Sequence, residues 1–165
     1  MEFILLDEDD LPSVLQFLKN SAIWLRDKEI DYWQNWHDPP KVHVNWVTDG
    51  LRLQQFYLVR QDGENIGIFR LQYEDEMFWG TRDDRAGYIH SFTVNREFSG
   101  KGWGYKILAK IEDLLKQNGY EYLRLDCSQQ IEGLINYYKK FGFKEAGSAM
   151  VGGEDLLLME KRIEN

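Results

Sequence analysis

The 165-residue chain has a single cysteine, three prolines and three histidines. With Cys127 alone, no internal disulfide framework is open to it. The histidines at 37, 43 and 90 are scattered, without the spacing of zinc ligands, so no metal is expected. Long apolar runs are missing too: nothing approaches the roughly 20 residues of a membrane-crossing helix. The opening MEFILLDEDD lacks the basic region and extended apolar segment of a secretory leader, which makes a cytoplasmic protein the expectation. Basic residues are in deficit, 20 against 28 acidic, for a formal net charge of -8. Nucleic acid and anionic membranes both call for a basic face, so neither is an expected partner, whereas a cationic small molecule suits the balance.

Apolar and aromatic side chains are plentiful, at 43% and 15% of the residues. That is enough for one well-packed core in a chain short for two ordinary domains, and no repeat or Ser/Pro-rich linker divides it, so one domain over 1–165 is expected. Phe3 to Leu6 reads as a strand, followed by acidic caps at Asp9 and Asp10, Pro12, and a helix carrying Leu11, Val14, Leu15 and Leu18. A second helix is expected over Ala22 to Trp36, ending before Pro39 and Pro40, with an irregular stretch from Asp38 to Gly50. Phe56 to Arg60 and Ile66 to Tyr73 flank Asp62-Gly63 as a hairpin. A strand over Gly87 to Val94 follows the acidic, aromatic tract EDEMFWGTRDD. Ile107, Leu108, Ile111, Leu114 and Leu115 then mark a helix closed by Gly119. Leu123, Leu125 and Cys127 alternate as a strand, with core packing expected for the cysteine. Ile131, Leu134, Ile135 and Tyr138 mark a helix stopped by Gly142, and two strands bracket Gly152-Gly153. This order predicts an α/β fold with a sheet of mixed direction.

Between the strand and the helix that follow residue 86 lies FSGKGWGYKIL, with glycines at 100, 102 and 104. Glycine at every second position suits a tight turn or a close approach that a side chain would block. A helix N-terminus after such a turn presents unpaired N–H groups and a positive dipole end, which favours a phosphate. From Asn95 to Lys110, four basic residues stand against one acidic, so the turn also sits on a basic island.

VNREFSGKGWG, followed downstream by YYKKFGF, resembles the acetyl-CoA-binding turn of the GNAT superfamily of N-acetyltransferases and its later helix end, where a Tyr precedes a Gly-Phe pair at the spacing of Tyr138, Gly142 and Phe143. The segments IWLRDKEIDYWQNW, YIHSFTV and RLDC narrow the likeness to bacterial members of undefined substrate. The resemblance implies a mostly antiparallel central sheet of about seven strands flanked by about four helices. It implies acetyl-CoA as co-substrate, direct attack by a primary amine of a small molecule, and a plausible homodimer. Acetylation of a protein N-terminus or lysine, and a silent acyl-CoA-binding regulator, are the alternatives. Two positions depart from the family pattern: Ser99, where Arg or Gln is common, and Ile131, where Asn is frequent.

On that resemblance, the backbone of Ser99, Gly100, Lys101, Gly102, Trp103, Gly104 and Tyr105 forms the cofactor cradle, and Phe92 and Val94 pair with the pantetheine arm. Tyr138 is expected to give a proton to the departing thiolate, unless it is a core aromatic. An alkyl ammonium of pKa about 10.4 is almost wholly charged at neutral pH, so a base is useful. His90 is the leading choice, with a histidine bonded within the sheet, or Asp or Glu acting through water, left open. Trp24, Trp33 and Trp79 are either an acceptor-binding wall or core.

Overall fold

The computed structural model describes residues 1–164. The elements run β1 (Glu2–Leu5), α1 (Leu11–Asp27), α2 (Lys41–Arg52), β2 (Phe56–Gln61), β3 (Glu64–Gln72), α3 (Glu76–Trp79), β4 (Ala86–Val94), α4 (Trp103–Gln117), β5 (Tyr122–Ser128), α5 (Glu132–Phe141), β6 (Lys144–Val151) and β7 (Glu154–Arg162). Seven strands form one sheet in the order β1-β2-β3-β4-β5-β7-β6. Within it β4 and β5 run parallel, while β1–β2, β2–β3, β5–β7 and β6–β7 are antiparallel. The chain groups into two compact units, Met1–Arg70 with Ser91–Gly104, and Leu71–His90 with the chain from Tyr105 onward.

In the first unit, Asp7 and Asp10 cap each other's backbone ahead of α1, and Pro12 occupies its first turn. Val14, Leu18 and Ala22 recur at helical spacing and are fully buried with Val47, Leu51, Phe56 and Ile68. The expected break between two early helices does not occur. Ser21 and Ala22 are buried on the same face as Val14 and Leu18, so the apolar stripe carries α1 through to Asp27. Left-handed backbone at Glu29 (φ 58°) and Trp33 (φ 61°) then turns the chain, and only residues 34–37 make a further short helical turn. The stretch expected to be irregular is α2, with Pro40 in extended backbone at its N-cap and Val47, Gly50 and Leu51 on its buried face. A Cβ at Gly50 would lie 2.7 Å from the Phe56 ring and 2.9 Å from Arg70 Nε, so glycine is required for this close packing. The hairpin β2–β3 turns at Asp62 and Gly63, both left-handed, as expected for an Asp-Gly turn.

In the second unit, α4 buries Ile107, Leu108, Ile111 and Leu115 completely. A Cβ at Gly87 in β4 would meet Leu115 Cδ2 at 2.5 Å, so this glycine lets the helix settle onto the strand. Arg124, 1% exposed, points from β5 into the interior. It donates two hydrogen bonds of 2.6 Å to Asp84, one of 3.1 Å to Glu160 and one of 3.0 Å to Tyr88 Oη, with the Trp79 and Tyr122 rings 5.0 and 4.8 Å from its guanidinium. The hydrogen bond from Arg124 holds the Asp84 carboxyl below its ordinary pKa. Cys127 is fully buried with its thiol against Met159. Burial above all, with the nearby Asp126 and Glu145 charges, pushes its pKa up to about 12, which suits a packing group and not a nucleophile.

Candidate active site

The Gly-rich turn belongs to the first unit. Its entry is fixed by Asn95, whose N–H donates to Ile66 O at 2.7 Å and whose side chain accepts from the Glu97 N–H, and by the Ser99 N–H, which donates to Arg96 O. Gly100 (φ 74°) and Gly102 (φ 73°) are both left-handed, a conformation that disfavours any residue with a side chain. A Cβ at either would meet no atom within 4 Å. Both are therefore dictated by backbone conformation, with open space outside the turn. The turn ends in α4, whose first-turn N–H groups have no partner within the helix. Exposed Lys101 holds its ammonium 5.3 Å from the Phe98 ring.

Phe92 and Val94 lie half-buried on β4, either side of buried Thr93. The Thr93 hydroxyl is hydrogen-bonded to that of Ser21, which ties the strand to α1. A Cβ at Gly67 would fall 2.3 Å from Thr93 O, so β3 needs glycine there to approach β4. The strand is irregular just before this point: Ser91 has φ 51°, and the parallel register with β5 runs from Ala86↔Tyr122 to Ile89↔Leu125.

His90 follows immediately and meets β5 through its side chain. Its Nδ1 lies 3.2 Å from Asp126 Oδ1 and its Nε2 2.8 Å from Asp75 Oδ2, with the Phe78 ring 4.7 Å away. Asp75 is buried at the start of α3, and of the two carboxylates Asp126 is the less enclosed, 12% exposed against 2%. Burial acts to lower the imidazole pKa, but hydrogen bonds to Asp126 and Asp75 and the attraction of both carboxylates outweigh it and raise it to about 9. At neutral pH both ring nitrogens carry protons and each donates to a carboxylate.

Tyr138 is buried on α5, edge-on to Phe143 at 5.6 Å and to Tyr137 at 5.4 Å. The Gly-Phe spacing has a local cause. The Phe143 N–H donates to Tyr138 O, the Gly142 N–H donates to Lys139 O, and Gly142 (φ 107°) is left-handed, so the helix ends in a Schellman turn whose apolar contact is Tyr138 on Phe143. Tyr105 stacks on Tyr137 at 4.6 Å and donates its hydroxyl to Tyr137 O at 2.9 Å. Any contact it makes to a phosphate is therefore through its backbone.

The three tryptophans separate. Trp24 lines a cavity on α1 beneath the Arg96 guanidinium, 4.3 Å from its ring centre. Trp33 is half-buried beside Tyr32 and packs against the first unit's core. Trp79 is buried, at 6% exposure, with Arg124 and Arg82 over its ring and Tyr88 edge-on, surroundings that favour the core reading over the acceptor wall. Asp75, Arg96 and Asp126 were missed from sequence. The signal for Asp126 was there, since period-two alternation puts it and Arg124 on one face of a strand with no exposed side, and buried charge calls for partners.

A strand leading through a left-handed glycine turn into a helix, on a mixed sheet, defines an α/β protein with an exposed helix N-terminus of the kind that suits an anion. Residues 17–143 match the acetyltransferase (GNAT) family. The uncharacterized N-acetyltransferase YesJ of Bacillus subtilis is 25% identical over 160 residues, 94% of this chain and 86% of its own. A GNAT-family acetyltransferase of Listeria monocytogenes has the same fold, with TM-score 0.76 at 23% identity over 98% of this chain and 95% of the other. The aminoglycoside acetyltransferase AAC(6')-Ib, solved with coenzyme A, matches at TM-score 0.66 and 20% identity over 97% and 93% of the two chains. The chain belongs to the GNAT family and is an acetyltransferase.

Proposed function

We propose that the protein transfers the acetyl group of acetyl-CoA to a primary amine of a small molecule. The observation that carries this reading is the turn at Gly100 and Gly102, left-handed and open on its outer side, running into the N-terminus of α4. A structural relative that acts on aminoglycosides and was solved with coenzyme A supports both the co-substrate and the acceptor class. Bound there, acetyl-CoA supplies the activated acyl group. The backbone N–H groups of residues 100–105 hold its pyrophosphate, and the backbone of Phe92 and Val94 aligns its pantetheine arm.

The surroundings of His90 support a positioning role. As an imidazolium it has no lone pair to offer at neutral pH, so it acts there by fixing Asp126, and the less enclosed Asp126 carboxylate receives the amine proton through water. Tyr138 Oη supplies the proton that the departing sulfur takes up. Acetyl-CoA turnover over a panel of small amines and peptides tests the proposal. Transfer to small amines is expected; transfer to peptides alone reassigns the acceptor, and binding without transfer to any acceptor overturns the catalytic reading.

A further inference from the structure

Arg96 is a half-buried cation of the first unit. Its guanidinium lies over the Trp24 ring, Nη2 donates to Ser21 Oγ at 3.3 Å, and Nε is buried without an acceptor. No carboxylate lies within ion-pair distance among the described residues. Buried polar groups are normally hydrogen-bonded and buried cations normally paired, because each otherwise loses its hydration without return. Burial alone accordingly lowers the Arg96 pKa, with nothing opposing it.

The residue lines a cavity of about 340 Å³ between the C-terminal half of α1 and the end of β4, within the size range of small-ligand sites. Asn20, also on its wall, has Oδ1 occupied by Gln16 Nε2 at 2.7 Å, which directs its amide N–H groups elsewhere as donors. Ser21 is held by Thr93. Two acidic residues, Asp27 and Glu97, reach the same cavity, but both are exposed, and Asp27 is 3.9 Å from Arg26 Nε, so solvent screens them far more than it screens Arg96. Trp24 supplies a flat apolar wall.

We propose that this α1–β4 cavity is a binding site for an oxyanion, a carboxylate or phosphate, received by the Arg96 guanidinium with Asn20 as second donor. A planar guanidinium suits both groups because it offers paired N–H donors. The oxyanion belongs either to the acceptor, which then carries an acidic group as well as its amine, or to the cofactor. Assigning the oxyanion to acceptor or cofactor rests on the acetyl-transfer reading, whereas the binding itself is tested without turnover.

The test is a titration of the full-length, 15N-labelled protein with inorganic phosphate at constant ionic strength, following the Arg96 Nε–H and Trp24 indole N–H resonances. Both are expected to shift and saturate at millimolar phosphate. The Trp24 response is expected to weaken at least about fivefold in Arg96→Gln, a loss of a charge-assisted contact. Asn20→Asp, at an exposed position, serves if Arg96→Gln does not fold, and is expected to weaken phosphate binding in the same direction. Repeating the titration with saturating coenzyme A separates the sources: phosphate binding that persists assigns the oxyanion to the acceptor, and binding that disappears assigns it to the cofactor. Wild-type shifts that are linear and unsaturated, or equal in the variants, overturn the site.

Discussion

Arg96 and Arg124 are both guanidinium groups held against aromatic rings, one in each compact unit, yet their surroundings are opposite. Arg124 is fully enclosed and meets Asp84, Glu160 and Tyr88 with four hydrogen bonds. Arg96 is only half-buried, has one long hydrogen bond to Ser21, and leaves Nε without an acceptor. The same contrast extends to the rest of each unit. The second unit also binds His90 between two carboxylates, whereas the first presents an open glycine turn and a cavity. Where a charge is saturated by the fold, its work is structural or positional; where backbone and charge are left unsatisfied, a ligand has a place.

The comparison is sharpened most strongly by Arg124→Ala. It removes the shared partner of Asp84 and Glu160, whose side chains are 30% and 31% exposed and so partly rehydrate, which keeps the cost below the roughly 3–5 kcal/mol of a fully buried pair. Urea denaturation should show that loss, while acetyl-CoA affinity of the folded fraction stays unchanged; a loss below about 1 kcal/mol would place Arg124 with the unsaturated groups instead.

His90→Gln tests the second saturated cluster through pH. A histidine whose pKa rises from 6.5 to about 9 on folding contributes fully below pH 6.5 and loses that contribution as pH climbs through about 9. The wild type should therefore lose on the order of 3 kcal/mol relative to the variant across that window. In activity, the variant should be slower but keep the shape of its pH–rate profile below pH 9. Disappearance of an inflection would make His90 the base itself.

Tyr138→Phe keeps the ring that packs on Phe143 and removes only the hydroxyl. Turnover is expected to fall about ten- to a thousandfold with acetyl-CoA affinity nearly intact. Full activity would leave Tyr138 as the apolar contact of a helix end. In the first unit, Gly102→Val meets no protein atom but forces a branched residue into left-handed backbone, at a cost of about 1–3 kcal/mol, so acetyl-CoA binding should weaken roughly 10- to 100-fold by calorimetry. Unchanged affinity would remove the cradle. The smallest effect is expected for Tyr137→Phe. Burial, then the Tyr105 neighbour, push the Tyr137 pKa up to about 12, so it is a weak donor, and steady-state turnover should stay within about twofold.

Much of the fold was legible because local rules agreed with the tertiary outcome. The Asp62-Gly63 hairpin, the Ile107–Leu115 face of α4 and the Gly142 stop all follow from turn chemistry or 3.6-residue periodicity. The early helices were not, because a break between 18 and 22 and an irregular stretch after Pro40 are reasonable on propensity. Burial of Ser21, Ala22, Val47 and Gly50 overrides it. At the site, the glycine turn could be read directly. The pairing of His90 with Asp75 and Asp126 could not, since the three come from separate stretches of chain.

The sequence by itself determined the family, the element order from β4 onward, and the turn where backbone must be bare, because these rest on spacings within a dozen residues and on the unique freedom of glycine. Only the tertiary structure decided what the charged residues do. Identity alone does not distinguish Arg96 from Arg124 or make His90 a clamped cation: protonation and pairing depend on burial and on partners 15 to 40 residues away. Those distances close only when the sheet assembles.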